Sequence, residues 1–208
     1  MINVIENRLN LVIGELESGK TLSLLNFCAN KIKEDSSEIL YISNDSKEGI
    51  LEKKFYSIKS KKSIVSINKE NLKEDDNLHF DTKCESFEDI ENSLNQLKEY
   101  YPFDYVIIDN INQFELNKKV QYKDRFKEVF DILNDFCIEN EITIIISMYL
   151  LKMACWDSDG RDNFSSDDSK LGSITLVNKE GNDITLATNE DNINKYKLIP
   201  KNLILEKQ

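Results

Sequence analysis

Over the first 150 residues, short apolar runs alternate with longer stretches in which apolar side chains recur every three or four positions. Leu9-Asn10-Leu11-Val12-Ile13 reads as a strand that stops at Gly14. Leu22, Leu24, Leu25, Cys28, Ala29 and Ile32 then repeat at helical spacing. Glu38–Ser43 is a second strand, Ser46–Phe55 a short helix and Ile64–Ile67 a third strand, while residues 68–82 are charged and show no period. A helix over Ser86–Tyr100 lines up Phe87, Ile90, Leu94 and Leu97. Asp104–Asp109 encloses a continuous apolar run, the kind covered on both faces in a parallel sheet. A helix over Lys123–Asn140 presents Phe126, Val129, Phe130, Leu133 and Cys137, and the strand Ile142–Ser147 follows. This alternation predicts an α/β fold of three layers around a mostly parallel sheet.

After Lys152 the pattern changes. Asp157–Lys170 is an acidic loop rich in Ser and Asp. Ile174–Val177 and Asp183–Ala187 flank Lys179-Glu180-Gly181-Asn182, which predicts an antiparallel hairpin. Leu198-Ile199 and Leu203–Leu205 offer a further ribbon. No repeat or linker divides the chain. A single domain over 1–208 is expected, with its core at about 9–150 and a C-terminal β extension at about 171–206.

Charge narrows the function classes. Acidic residues number 38 against 27 basic ones, a net charge of −11, and the only arginines are Arg8, Arg125 and Arg161. Phosphate affinity comes chiefly from Lys and Arg, so the balance argues against a large basic surface for nucleic acid, although not against a local basic groove. Lys59, Lys61 and Lys62 form the one dense basic cluster and read as a solvated loop. Hydrophobic residues make up 40%, enough for a core. No apolar run is long enough to cross a membrane, and Met1–Asn7 has no basic, apolar leader, so a cytoplasmic location is expected. Cys28, Cys84, Cys137 and Cys155 stand far apart with a single histidine, His79, which is no zinc-binding spacing. Cys28 and Cys137 are expected on helix core faces, in a reducing compartment. Trp156 is expected to fill core.

One motif carries chemistry. Gly14-Glu15-Leu16-Glu17-Ser18-Gly19-Lys20-Thr21 fits G-x-x-x-x-G-K-[ST], with a strand before it and at its end a helix expected from Lys20 to about Ile32, with Leu22 in its first turn. Glycines let the backbone curl so that successive N–H groups face a phosphate, and the helix N-terminus adds a favourable dipole. Lys20 would reach the β- and γ-phosphates of ATP, and the Thr21 hydroxyl would join the shell of Mg²⁺. A second hard oxygen is needed for the metal at the tip of an apolar strand, and Asp109 supplies it.

These residues resemble the nucleotide-binding core of RecA-type ATPases, most closely the C-terminal motor domain of replicative DnaB-type helicases, with the KaiC/RadA-like branch next. Besides the phosphate loop, Leu40–Ser46 is similar to the family strand ending Ser-Leu-Glu-Met. Tyr105–Asn112 is similar to Ile-Asp-Tyr-Leu-Gln, and Ser147-Met148 to the segment ending Ser-Gln-Leu. Order and spacing agree over about residues 9 to 150. The resemblance implies a RecA-like P-loop fold, ATP and Mg²⁺ as ligands, Lys20, Asp45 and Asp109 as catalytic positions, and a nucleotide-dependent role in DNA metabolism. It also implies partners, either further copies of the chain or a larger replication-type protein.

The departures limit that expectation. Asp45 stands where the family has a water-activating glutamate, one methylene shorter; Glu48 could take the task, and Asp45 could instead cap the next helix. Met148 replaces a phosphate-sensing glutamine and cannot hydrogen-bond a phosphate. Lys179, Lys195, Lys197 and Lys201 follow Val177 without an arginine, so a bidentate arginine finger from there is impossible. The acidic loop has the wrong sign for a DNA-facing element, and ring assembly through a helical domain before residue 9 is not expected. Weak or absent DNA binding by the isolated chain is expected. Three functions remain open. The first is a slow, helicase-like ATPase accessory to DNA replication, recombination or plasmid and phage maintenance. The second is a degenerate P-loop regulatory module without motor activity. The third is a P-loop nucleoside kinase, since Ile108–Phe114 is similar to the thymidine kinase segment Ile-Asp-x-x-Gln-Phe.

Overall fold

Apolar runs of four to seven residues pair edge to edge, and the amphipathic helices between them cover both faces. The computed structural model describes residues 2–14, 16–67, 77–97, 102–117, 122–149, 173–177, 183–188, 196–199 and 204–207. Along the chain run β1 (Leu9–Gly14), α1 (Lys20–Asp35), β2 (Ile39–Ile42), α2 (Glu48–Ser60), β3 (Leu78–Asp81), α3 (Phe87–Leu97), β4 (Tyr105–Ile108), α4 (Tyr122–Asn140) and β5 (Thr143–Tyr149). They are followed by β6 (Ser173–Val177), β7 (Asp183–Thr188), β8 (Tyr196–Ile199) and β9 (Ile204–Lys207). The main sheet has the order β3-β2-β4-β5-β1-β6-β7. All neighbours are parallel except the β6–β7 hairpin, and β8 pairs with β9 in a separate antiparallel ribbon.

Strand alternation divides the core in two. Leu11 and Ile13 of β1, Ile42 of β2, Ile108 of β4 and Ile144, Ile146 and Met148 of β5 pack with Phe87, Ile90 and Leu94 of α3 and Val129, Leu133 and Cys137 of α4. Val12, Tyr41, Ile107 and Ile145 point the other way, onto Leu24, Leu25 and Cys28 of α1 and Leu51 and Phe55 of α2. Both strand faces are therefore dry, which is why these strands read as continuous apolar runs. Each fully buried Leu or Ile contributes about 1.5–3 kcal/mol. Cys28 and Cys137 are both fully buried, as helix-core residues.

Two elements differ from the sequence expectation. Ile64–Ser66 is a 3-10 turn and not a strand. Ile64 and Val65 are exposed and only Ile67 is buried, so no alternating face exists to pair, and the Ser66 hydroxyl closes the turn on the Ser63 carbonyl at 2.6 Å. The third strand of the chain is β3, inside the stretch that showed no period. Four residues with His79 and Asp81 at alternate positions are too short and too polar to register, yet Phe80 packs on Tyr41 and Leu78 is buried. The hairpin strands fall at β6 and β7 as the pattern predicts; the acidic loop, Cys155, Trp156 and Arg161 lie outside the described residues.

Candidate nucleotide site

β1 leads into the loop that opens α1, and the loop's conformation depends on its last glycine. Gly19 has φ +94, a left-handed conformation that side chains rarely adopt. Gly19 is also the N-cap of α1. It makes no side-chain capping bond, and the first turn of α1 holds no acidic residue. The opening N–H groups of α1 therefore have no partner within the helix, and its dipole points at whatever sits in front of it. This is the local chemistry of an anion site.

Lys20, the first residue of α1, is only 5% exposed. Its Nζ donates to the Gly14 carbonyl at 3.1 Å, has a longer contact of 3.5 Å with Ser18 Oγ, and lies 4.5 Å from the centre of the Tyr149 ring. Burial pushes the ammonium down to about 8, against the pull of Asp109 and then Asp45, which favour its charge.

Strand order brings the acid to the lysine. β5 lies between β1 and β4, with Val12 paired to Ser147 and Gly14 to Tyr149. Asp109, just past β4, is 5% exposed. Its Oδ2 accepts from the Tyr41 hydroxyl at 2.7 Å, and its Oδ1 accepts from the Ser147 hydroxyl. Burial and the neighbouring Asp109 push the Tyr41 phenol well up, so it stays a donor. The peptide joining Asp109 to Asn110 is cis.

Ser18, Lys20, Asp109 and Tyr149 line a cleft of about 440 Å³. Its floor is the loop from Leu16 to Leu22, and Asp45, Lys54, Asp109 and Tyr149 face it. Of the sequence-predicted residues, Leu16, Glu17, Ser18, Gly19, Lys20, Thr21, Leu22, Asp45 and Asp109 are brought together there. Gly14 does not line the cleft but accepts from Lys20 through its carbonyl, and Glu15 lies outside the described residues. Asp45 does not cap α2, whose N-cap is Lys47. Glu48 is exposed at the start of α2 and is not among the residues lining the cleft. Met148 is 3% exposed and packs in the core on the α3–α4 side.

Sequence reasoning missed Ser147, Tyr149, Tyr41 and Lys54, and it met Asn110 and Gln113, which also line the cleft, only as parts of family segments. Ser147 and Tyr149 share the parity of Val12 and Gly14 in the β1–β5 register, so strand alternation could have found them. Tyr41 is the one hydroxyl in an apolar strand, a weak signal. Lys54 looks in sequence like Lys53 beside it and carries no signal of its own.

The fit to a nucleotide and its metal is chemical. A carboxylate held by two hydroxyls and a threonine hydroxyl are hard oxygen donors, suited to Mg²⁺ and not to a soft metal. A desolvated ammonium beside an uncapped helix N-terminus suits phosphate.

The layered sheet, the loop and the strand-tip aspartate define a RecA-like P-loop ATPase domain. The chain belongs to the KaiC family of ATPases: the sequence model of that family matches residues 3–153. No curated protein matches the sequence significantly. Among solved structures, the chain is similar to a DnaB-like replicative helicase described with its interactions with primase, at 14% identity and a TM-score of 0.63. The match covers 86% of this chain and 54% of that one, so this chain spans about half the length of the helicase, and at this identity the likeness concerns the fold. None of the described helices is long and apolar enough to cross a membrane.

Proposed function

We propose that the chain binds ATP in the Gly14–Thr21 loop and hydrolyses it slowly, acting as an accessory factor in DNA replication, recombination or plasmid and phage maintenance and not as a motor. The observation that carries this reading is the convergence of Lys20, Asp109 and the uncapped start of α1 on one cleft. Lys20 would neutralise charge on the β- and γ-phosphates, and the N–H groups of the loop would hold their oxygens. Thr21 and Asp109 would hold Mg²⁺, which when bound neutralises the charge on the phosphates. Asp45 would orient the attacking water. Its side chain is exposed and short, which supports a slow reaction. The partners that fit are further copies of the chain or a larger replication-type protein.

A second reading, a nucleotide-binding regulatory module that does not hydrolyse, is favoured by the same exposed Asp45 and by the burial of Met148. ATP turnover measured with and without single-stranded DNA, followed by phosphoryl transfer to deoxynucleosides, separates the readings. Slow turnover that ignores DNA supports the first. Binding without turnover selects the module, strong stimulation by DNA a motor, and transfer to a deoxynucleoside a kinase.

A further inference from the structure

Tyr149 has no place in the phosphate chemistry above, yet it touches the residue at its centre. In the β1–β5 register Tyr149 is the partner of Gly14, so its side chain falls on the α1 side of the sheet, where the loop begins. Its ring centre is 4.5 Å from Lys20 Nζ, within the range at which an aromatic face attracts an ammonium. Tyr149 lines the cleft, whereas Gly14, whose carbonyl takes one of the ammonium's bonds, does not. The ring is thus on the side from which a ligand arrives. Lys20 is 5% exposed although the cleft beside it holds about 440 Å³. A phosphate oxygen must come within about 2.8 Å of Nζ to make a charge-assisted bond, closer than the ring now stands. The Tyr149 N–H is tied to Asn112 Oδ1 at 2.7 Å, which anchors the backbone and leaves the side chain as the part that can turn.

We propose that Tyr149 is a positioning residue: its ring covers the Lys20 ammonium in the nucleotide-free protein and gives up that place to the phosphates of an incoming nucleoside triphosphate. The proposal rests on the nucleotide reading of the cleft. It needs the aromatic face and not the phenol oxygen, so Tyr149→Phe keeps the behaviour and Tyr149→Leu loses it.

The test uses the full chain labelled at lysine Cε, with Lys20 assigned by loss of its signal in Lys20→Arg. In the free protein the Lys20 ε-methylene protons are shifted upfield by the ring. That shift survives Tyr149→Phe and disappears in Tyr149→Leu. It also disappears from the unsubstituted protein when MgATP is added. Because the ring no longer competes, Tyr149→Leu binds MgATP about tenfold more tightly, the scale of a desolvated ammonium–ring contact. An upfield shift that persists in the MgATP complex, or equal or weaker binding by a folded Tyr149→Leu protein, overturns the proposal and leaves the nucleotide reading standing. Failure of the unsubstituted protein to bind MgATP overturns both.

Discussion

On one side of the cleft, Lys20 and Asp109 are each 5% exposed, and each is held by named partners: Gly14 for the lysine, Tyr41 and Ser147 for the acid. On the other side, Asp45 lies in an exposed turn before α2, and Met148 packs in the core outside the cleft. The difference is physical. Removing Asp109 would leave two buried hydroxyls without an acceptor, which costs about 1–3 kcal/mol for each group. Removing Asp45 would leave nothing buried unpaired. The half of the cleft that would hold phosphate is therefore fastened to the fold, and the half that would activate water is free to vary without weakening it.

Lys20→Ala is the substitution with the largest expected effect. Two charge-assisted bonds to phosphate, at about 1.5–3 kcal/mol each, amount to a loss of ATP affinity of at least roughly a hundredfold. Stability without ligand should stay within about 1 kcal/mol, because the lost bond to Gly14 is offset by relief from burying an ammonium. Calorimetric titration with MgATP, alongside thermal unfolding of the free protein, checks both halves. Unchanged affinity would remove the loop from the binding site.

How much of this was legible in the sequence follows the same division. The loop from Gly14 to Thr21 could be read because its function needs fixed residue types at fixed spacing, and Asp109 because it ends an apolar strand. The layering could be read because strands dry on both faces are continuously apolar. β3 could not, since an edge strand of four residues with His79 and Asp81 in it leaves no period. Ile64–Ser66 misled for the opposite reason: apolar composition without burial. Tyr149 was hidden behind its neighbour. Matching the family segment by position drew attention to Met148, whereas strand parity turns the residues on either side to the opposite face, where Ser147 holds Asp109 and Tyr149 lines the cleft.

That parity yields the middle-sized prediction. Met148→Gln puts an amide into an apolar layer with Ile13, Ile146 and Leu133, where burying it unpaired costs about 1–3 kcal/mol. The midpoint of urea unfolding should fall accordingly with an unchanged slope. ATP turnover should gain no response to single-stranded DNA, because the substituted side chain faces α3 and α4 and not the cleft. A folded variant that became DNA-responsive would put position 148 in the cleft and undo the comparison.

The smallest effect belongs to Asp45→Glu, which tests the loosely held half directly. Asp45 is exposed and lines the cleft, so one added methylene extends a carboxylate into open space without disturbing packing. Unfolding should be unchanged within about 0.5 kcal/mol, the usual range for surface substitutions. If Asp45 orients the attacking water, the longer side chain should raise ATP turnover severalfold while leaving ATP affinity alone, since affinity depends on the loop and Asp109. The effect should be modest because Lys20 and the loop N–H groups are the same in both proteins. Glu48→Ala is the companion measurement: Glu48 is exposed at the start of α2 and does not line the cleft, so its loss should not slow the reaction. Turnover that ignores Asp45→Glu and collapses in Glu48→Ala would move the base three residues along the chain. The water-activating half of the cleft would then lie on α2 instead of in the turn before it.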